Sequence, residues 1–524
     1  MTRLAGRAVS RRWGLGPPTT RYRVTRGVRV PMRDGVELLA DHYAPVTDEP
    51  AGTLLLRGPY VRDALLTKVT VGTYAARGYH VVLQSTRGSF GSGGTFEPGH
   101  GEVDDGVDTA AWLRRQTWFT GTFATVGGSY LGFTQWALLS DPPPELTTAV
   151  VTMGPHDIGH AAWGTGSFAL LDYLTWGYQM AWHERGGATR QLIRGALTPR
   201  RLRPVLDTLP LAAAADAVMG GGAPFYESWL DNADPAGEYW RGRGVPIAAA
   251  RPVLLIGGWQ DLFFDQTIRQ FHALREQGAD VELVIGPWTH GEGGGVAIRE
   301  SLDWLAGRRR TEPVRICVTG DGGWRDLADW PPPSTDVVCY PHPDGVLTDA
   351  PASDASPAHF VYDPADPTPT IGGRLLSVAA AGYRDDGALA QRSDVLAFTG
   401  AALAADLEVI GVPYVELAHR TDTPSADVSV RISDVDPSGR SHNVTDGYVR
   451  IGTGAPTPLR IELDPIAHRF RAGHRIRLLI AGGSFPRYAR NLGTVEPLAT
   501  ATEFVRSTHT LGCAGSRLVL PVPS

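Results

Sequence analysis

From residue 53 to 154 the chain alternates short apolar runs with stretches of helical character. TLLLRGPY (53–60), GYHVVLQST (78–86) and ELTTAVVTMG (145–154) are continuous, β-branched or Leu-rich runs of strand length, the pattern of strands buried on both faces. DDGVDTAAWLRRQ (104–116) predicts a helix, with Asp104 and Asp105 at the end where the helix dipole favours negative charge. FATVGGSYLGFTQWALLS (123–140) predicts a strand, a sharp turn and a helix. Strands alternating with helices in this way predict a mostly parallel sheet covered by helices.

The rhythm breaks near residue 155. The following segment is rich in Trp, Tyr, Gly and Ala, with helical periodicity in ATRQLIRGAL and RLRPVLDTLPLAAAADAVM. Strand-like runs return at RPVLLIGGW (251–259), VELVIGPWTHG (281–291) and PVRICVTGD (313–321), with a helix over 263–278. One α/β sheet interrupted by an inserted helical cap accounts for this order. After PPP (331–333) come short alternating runs such as YVELAHRT, DVSVRISDV, GYVRIG and LRIELD, separated by Gly, Pro and Asp. They predict an all-β sandwich or jelly roll. The expected division is a core over 1–142 and 246–335, a cap over 143–245 and a β domain over 336–524, in line with about 150 residues per domain.

Composition narrows the function. Hydrophobic residues make up 42% and charged residues 20%, as in an ordered globular protein, and the formal charge of −6 offers no electrostatic footprint for nucleic acid. Lys68 is the only lysine, so positive charge is almost all Arg. Cys317, Cys339 and Cys513 form no disulfide framework and have no metal-ligand spacing. No run of 18 apolar residues exists, and the basic N-terminus, with Arg3, Arg7, Arg11 and Arg12, lacks the apolar stretch of a signal peptide. The expectation is a soluble, cytoplasmic protein without a membrane segment, its oligomeric state open, a homodimer included.

VGGSYLG (126–132) is the strongest local signal. A serine hydroxyl becomes a useful nucleophile only when exposed and paired with a base, and a strand-to-helix elbow supplies the exposure. Gly127 precedes Ser129 by two, as G-x-S-x-G requires, but Leu131 follows by two and the glycine comes at 132. Asp261 in GGWQDLFFD and His290 in GPWTHG each lie just past a predicted strand, in the order Ser, Asp, His of α/β-hydrolases. Asp265 is the rival acid, placed in the next helix as an N-terminal cap.

At these residues the sequence resembles the X-Pro dipeptidyl-peptidase/cocaine esterase family of serine hydrolases. The resemblance spans nearly the whole chain, through VPMRDGVELLADHYAP (30–45), QSTRGSFGSGGTFEP (84–98), GGSYLG, and the C-terminal stretches 427–450 and 470–491. It implies a hydrolase core, an inserted helical cap and a C-terminal jelly roll. It also implies an oxyanion hole made by the Tyr60 hydroxyl of RGPY and the backbone N–H of Tyr130. An acidic run beside the triad aspartate, carried by relatives that hydrolyse α-amino-acid esters, is missing, since Leu262, Phe263 and Phe264 follow Asp261. That resembles the cocaine-esterase branch and implies Phe263 in the acyl pocket, with Trp163 and Trp176 from the cap beside it.

The expected activity is ester hydrolysis on a small molecule, with no metal or organic cofactor. Amide or X-Pro dipeptide cleavage by the same triad is the close alternative, and a non-catalytic binding role on this fold is the reading from another class. HDIGH (156–160) departs from the zinc motif H-E-x-x-H and reads as loop residues at the cap entrance. GSFGSGG lacks the Lys-Ser/Thr of a phosphate loop, NVT (443–445) matters only in a secretory pathway, and Arg87 reads as an ion-pair residue.

Overall fold

The computed structural model describes residues 9–62, 64–182, 188–248, 250–353 and 356–524. Arg3 and Arg7 lie outside these; Arg11 and Arg12 are exposed. A ten-stranded sheet forms the core: β1 (Tyr22–Pro31), β2 (Glu37–Pro45), β3 (Gly52–Gly58), β4 (Tyr79–Ser85), β5 (Phe123–Gly128), β6 (Leu146–Thr152), β7 (Val253–Gln260), β8 (Val281–Thr289), β9 (Val314–Val318) and β10 (Gly323–Leu327), in the order β1-β2-β4-β3-β5-β6-β7-β8-β9-β10. From β4 to β9 neighbours run parallel; β1, β2 and β10 pair antiparallel at the two edges. Every residue of β4 and β7 is buried, which is why these strands read as unbroken apolar runs. Helices Leu65–Ala75, Glu102–Leu113, Tyr130–Ser140, Phe264–Glu276 and Gly294–Leu305 alternate with the strands.

β6 pairs with β5 and β7, so it belongs to the core sheet, and the expected break at residue 143 falls too early. The chain leaves the sheet only after Thr152. Helices Ile158–Trp163, Leu170–Trp182, Ala188–Leu206, Leu211–Met219 and Pro224–Asp231 then follow before β7. Their shared interior is aromatic: Trp163, Phe168, Tyr173, Trp176, Phe225, Tyr226, Trp229 and Trp240 are all buried.

From Ser334 on, the described chain is β structure and loops apart from one short 3-10 turn. The last strand, Ser507–Pro523, pairs with Ser334–Pro341, Pro357–Tyr362 and Tyr414–Thr421. The other half is built on Ser425–Val435 between Ser441–Gly452 and Arg475–Ala481. Val428, Val430, Ile432 and Leu478 of one half share an apolar core with Val415, Leu417, Leu511 and Leu518 of the other. The protein is therefore an α/β-hydrolase core with a C-terminal all-β domain. Asn443 of the NVT triplet is buried, its Oδ1 accepting the Arg384 N–H at 2.6 Å, so it offers no site for a sugar.

Candidate active site

Ser129 stands between β5 and the helix Tyr130–Ser140 with φ 58° and ψ −131°. A side chain at positive φ stores about 1–3 kcal/mol of strain, which surrounding contacts must hold in place. The Ser129 N–H donates to the carbonyls of Thr152 and Met153 at 3.1 and 3.2 Å, tying the elbow to the end of β6. The glycines answer to specific neighbours. A Cβ on Gly127 would lie 2.5 Å from the Leu131 Cβ, and one on Gly128 would lie 2.9 Å from the Thr152 carbonyl oxygen.

His290, just past β8, reaches Ser129 Oγ with Nε2 at 3.0 Å and Asp261 Oδ1 with Nδ1 at 2.5 Å. A carboxylate only accepts, so Nδ1 carries the proton and Nε2 is left free to accept one from Ser129. Asp261, at the end of β7, is fully buried, and its Oδ2 accepts the Phe263 N–H at 2.9 Å. Glu292 Oε2 accepts both the N–H and the hydroxyl of Thr289 at 3.0 Å, bracing the turn that carries His290. Asp265 does not contact His290. It pairs with His160 Nε2 at 3.0 Å and Arg374 at 3.5 Å, so it is an ion-pair residue of the first helical turn and not the side-chain cap expected there.

The Tyr60 hydroxyl lies 3.3 Å from Ser129 Oγ. Burial pushes its pKa up, eased by hydrogen bonds with Ser129, the Trp176 indole and the backbone N–H of Tyr130. That N–H opens a helix and is one of the groups without an intrahelical partner.

Ser129 opens into a cavity of about 40 Å³ walled by Tyr60, Ile158, Tyr173, Trp176, Trp229 and Phe263. Phe263 and Trp176 are therefore brought to the serine. Trp163 is not: it is buried in the cap with its indole N–H on the Trp229 carbonyl at 2.9 Å, a correction to its expected place in the pocket. His156 and His160 are held by Gln270 and Asp265. Arg87 pairs with Asp105 at 2.6 Å and Asp34 at 2.7 Å.

The carboxylate of Asp172 also lines this cavity, a feature absent from the sequence reading. It comes from the helix Leu170–Trp182, and its Oδ1 accepts the Leu376 N–H, from the β domain, at 2.7 Å. Burial raises its pKa to about 6. Asp172 and Leu262 also line a larger cavity of about 370 Å³ where cap, core and β domain meet. There Asp265, Asp446 and Asp464 face Arg374 and Arg487 in linked ion pairs. The sequence carried one sign of Asp172: it is the only charged residue in the stretch FALLDYLTWGYQM (168–180).

A nucleophile elbow, an imidazole and a buried carboxylate at the strand ends of such a sheet belong to the serine hydrolases, and the comparisons with known proteins place the chain there. It is a serine hydrolase of the X-Pro dipeptidyl-peptidase family: residues 34–292 match the X-Pro dipeptidyl-peptidase (S15 family), and residues 306–518 match the X-Pro dipeptidyl-peptidase C-terminal non-catalytic domain. A cocaine esterase from Rhodococcus sp. (strain MB1 Bresler) is 30% identical, over 96% of this chain and 99% of that protein. Among solved structures, an aminopeptidase from a marine sediment Thaumarchaeota archaeon superposes with a TM-score of 0.81 at 24% identity, covering 96% of this chain and 97% of that one. An α-amino acid ester hydrolase does so with 0.80 at 22% identity, over 97% and 98%. These last two likenesses are of fold. Among the described residues no helix is long and apolar enough to cross a membrane.

Proposed function

We propose that the protein hydrolyses carboxylic esters through an acyl-Ser129 intermediate. The observation that carries this is His290, bonded at once to Ser129 Oγ and to the buried Asp261. Ser129 Oγ attacks the ester carbonyl carbon while His290 Nε2 takes its proton, and Asp261 stabilises the imidazolium. The carbonyl π pair moves to oxygen, where the Tyr60 hydroxyl and the Tyr130 N–H receive the negative charge. Collapse expels the alcohol, which takes the proton from His290. Water, deprotonated by His290, then attacks the acyl carbon; the bond to Ser129 Oγ breaks, Oγ takes the proton back from His290, and the acid is released.

The test is hydrolysis of 4-nitrophenyl esters of graded acyl length by wild type and Ser129→Ala, with fluorophosphonate labelling of both. Turnover and labelling present in wild type and lost in the variant are expected. Equal turnover in the variant removes Ser129 as the nucleophile. A cavity of about 40 Å³ supports a short acyl group as the optimum.

A second reading rests on Asp172. Asp172 faces this pocket with the Leu376 N–H as its hydrogen-bond donor among the described residues, and a buried carboxylate so placed is further stabilised by a cation. It supports an acyl group carrying an ammonium, as in an aminoacyl ester or amide, the class of compound for which the α-amino acid ester hydrolase above is named. Asp172 supplies from the cap what the missing acidic run after Asp261 would have supplied from the core.

A further inference from the structure

The two oxyanion donors proposed above come from different segments of the core. Tyr60 follows β3, whereas Tyr130 opens the helix after β5. Ser129 touches both, but His290 and Asp261 touch neither through any hydrogen bond among the described residues.

Behind the site a chain of buried polar groups joins the two segments. Arg57, in β3 and three residues before Tyr60, donates from Nη2 to Glu102 Oε2 and from Nη1 to the Glu102 carbonyl, both at 2.9 Å. Its Nε donates to Gln84 Oε1 at 2.8 Å. The other carboxylate oxygen, Glu102 Oε1, accepts the Tyr130 hydroxyl at 3.0 Å, and that hydroxyl accepts the Gly99 N–H at 2.9 Å. Thr134, in the helix that Tyr130 begins, donates to the Arg57 carbonyl at 3.0 Å.

The Arg57 and Glu102 side chains are only 2% and 4% exposed. Burial raises the Glu102 pKa, opposed by the attraction of Arg57 and the Tyr130 hydrogen bond. A buried ion pair is no better for stability than well-packed apolar groups of the same volume, and breaking it by removing one partner costs far more. Such a pair is suited to fixing one geometry. Here the tethered phenol and the oxyanion-facing N–H belong to the same residue, so holding the Tyr130 ring restricts the peptide that carries the donor. The other end of the pair holds β3 just before it delivers Tyr60.

We propose that Arg57 and Glu102 are positioning residues for the oxyanion hole, setting the separation of the Tyr60 hydroxyl and the Tyr130 N–H without touching substrate. The inference rests on the reading of those two groups as oxyanion donors. A small displacement of an aligned group costs up to about 10²-fold in rate. Tyr130→Phe, which keeps the N–H and loses the tether, and Glu102→Gln, which keeps the shape and loses the charge, are each expected to lower kcat by about 10- to 100-fold, with KM within twofold.

Rates are to be referred to sites titrated with fluorophosphonate, and the affinity of a trifluoromethyl ketone, which forms a tetrahedral adduct, measured alongside. It is expected to fall by the same factor as kcat. Combined with Tyr60→Phe, Glu102→Gln is expected to cost less than it does alone, since one of the two groups it aligns is gone. An unchanged kcat per titrated site in both single variants, or losses that multiply fully in the double variant, overturns the positioning role. If Tyr60→Phe itself leaves kcat unchanged, the oxyanion reading fails and takes the inference with it. If only Tyr60→Phe is impaired, the inference fails alone.

Discussion

Gly132 and Gly154 meet backbone to backbone: a Cβ on Gly132 would lie 2.5 Å from the Gly154 Cα, and one on Gly154 would lie 2.7 Å from the Gly132 Cα. The first turn of the helix Tyr130–Ser140 thus rests directly on the segment leaving β6. That contact explains why the elbow has its glycine at 132 and not at 131, where Leu131 instead packs over Gly58 and Gly127. Gly132→Ala is expected to destabilise the protein by about 1–3 kcal/mol, the usual cost of overpacking, and to lower kcat by displacing Ser129. Urea unfolding and site titration on the same preparation check both; a variant as stable as wild type removes the contact from the account.

Two aspartates four residues apart in sequence separate the imidazole's partner from its rival. Asp261→Asn is expected to lower kcat by about 10⁴-fold, because the amide cannot hold His290 in the reactive tautomer. Asp265→Asn, which touches His160 and Arg374, is expected to leave kcat within a few-fold of wild type. Steady-state rates of the two variants decide between them, and a reversed order would reassign the acid.

Tyr60→Phe removes a single hydroxyl beside Ser129. The expected loss is about 10²–10³-fold in kcat with KM little changed, the effect of deleting one oxyanion donor. A rise in KM at constant kcat would instead mark the hydroxyl as a ground-state contact.

The Asp172 carboxyl, held near pH 6 by burial, gives the amine-bearing reading a pH signature. Above about pH 6 it is ionised and attracts an ammonium; as the pH falls through 6 it becomes neutral and the attraction goes. The ratio of kcat/KM for an aminoacyl ester to that for its des-amino analogue is expected to fall over this range in wild type. In Asp172→Asn the ratio is expected to be low, by about tenfold or more, and flat, since one well-placed charge contact is worth about 1.5–3 kcal/mol. A ratio independent of pH in wild type counts against the reading.

Two buried histidine pairs make the fold sensitive to acid. His42 Nε2 meets His80 Nδ1 at 3.0 Å beside Trp118, and His419 Nε2 meets His509 Nδ1 at 3.0 Å beside Phe360. Burial lowers all four pKa values, to about 4 for His42 and His419 and about 3 for His509. The folded state therefore keeps them neutral, while the unfolded chain binds protons below about pH 6.5. Their contribution is complete above pH 6.5 and is lost as the pH falls toward 4. Urea midpoints are expected to drop steadily from pH 7 to 5; a flat profile would mean that the pairs accept protons in place.

That Ser129, Asp261 and His290 come together was legible because each lies just beyond an apolar run, and strand ends are where a parallel sheet delivers side chains to one place. Asp172 was not, because the direction of one side chain from a cap helix depends on how that helix docks. The same gap misplaced Trp163, whose short helix turns it into the cap. The position of β6 was legible in its own apolar run even though the expected domain break cut before it. Pairing in the β domain was out of reach: the final strand lies between one that begins at Ser334 and one that begins at Tyr414, and such distant partners leave no local periodicity.

The Leu376 amide on Asp172 has a consequence for how such enzymes diversify. Leu376 belongs to the C-terminal third of the chain, yet it lines the cavity and donates to the carboxylate there. Grafting that third from a relative onto this core and cap would leave Ser129, His290 and Asp261 intact while replacing one wall of the pocket. The pocket beside Ser129 is thus shared between two stretches of chain that match two separate family models, so a change confined to the C-terminal one alters a wall of the pocket and leaves the reacting side chains in place.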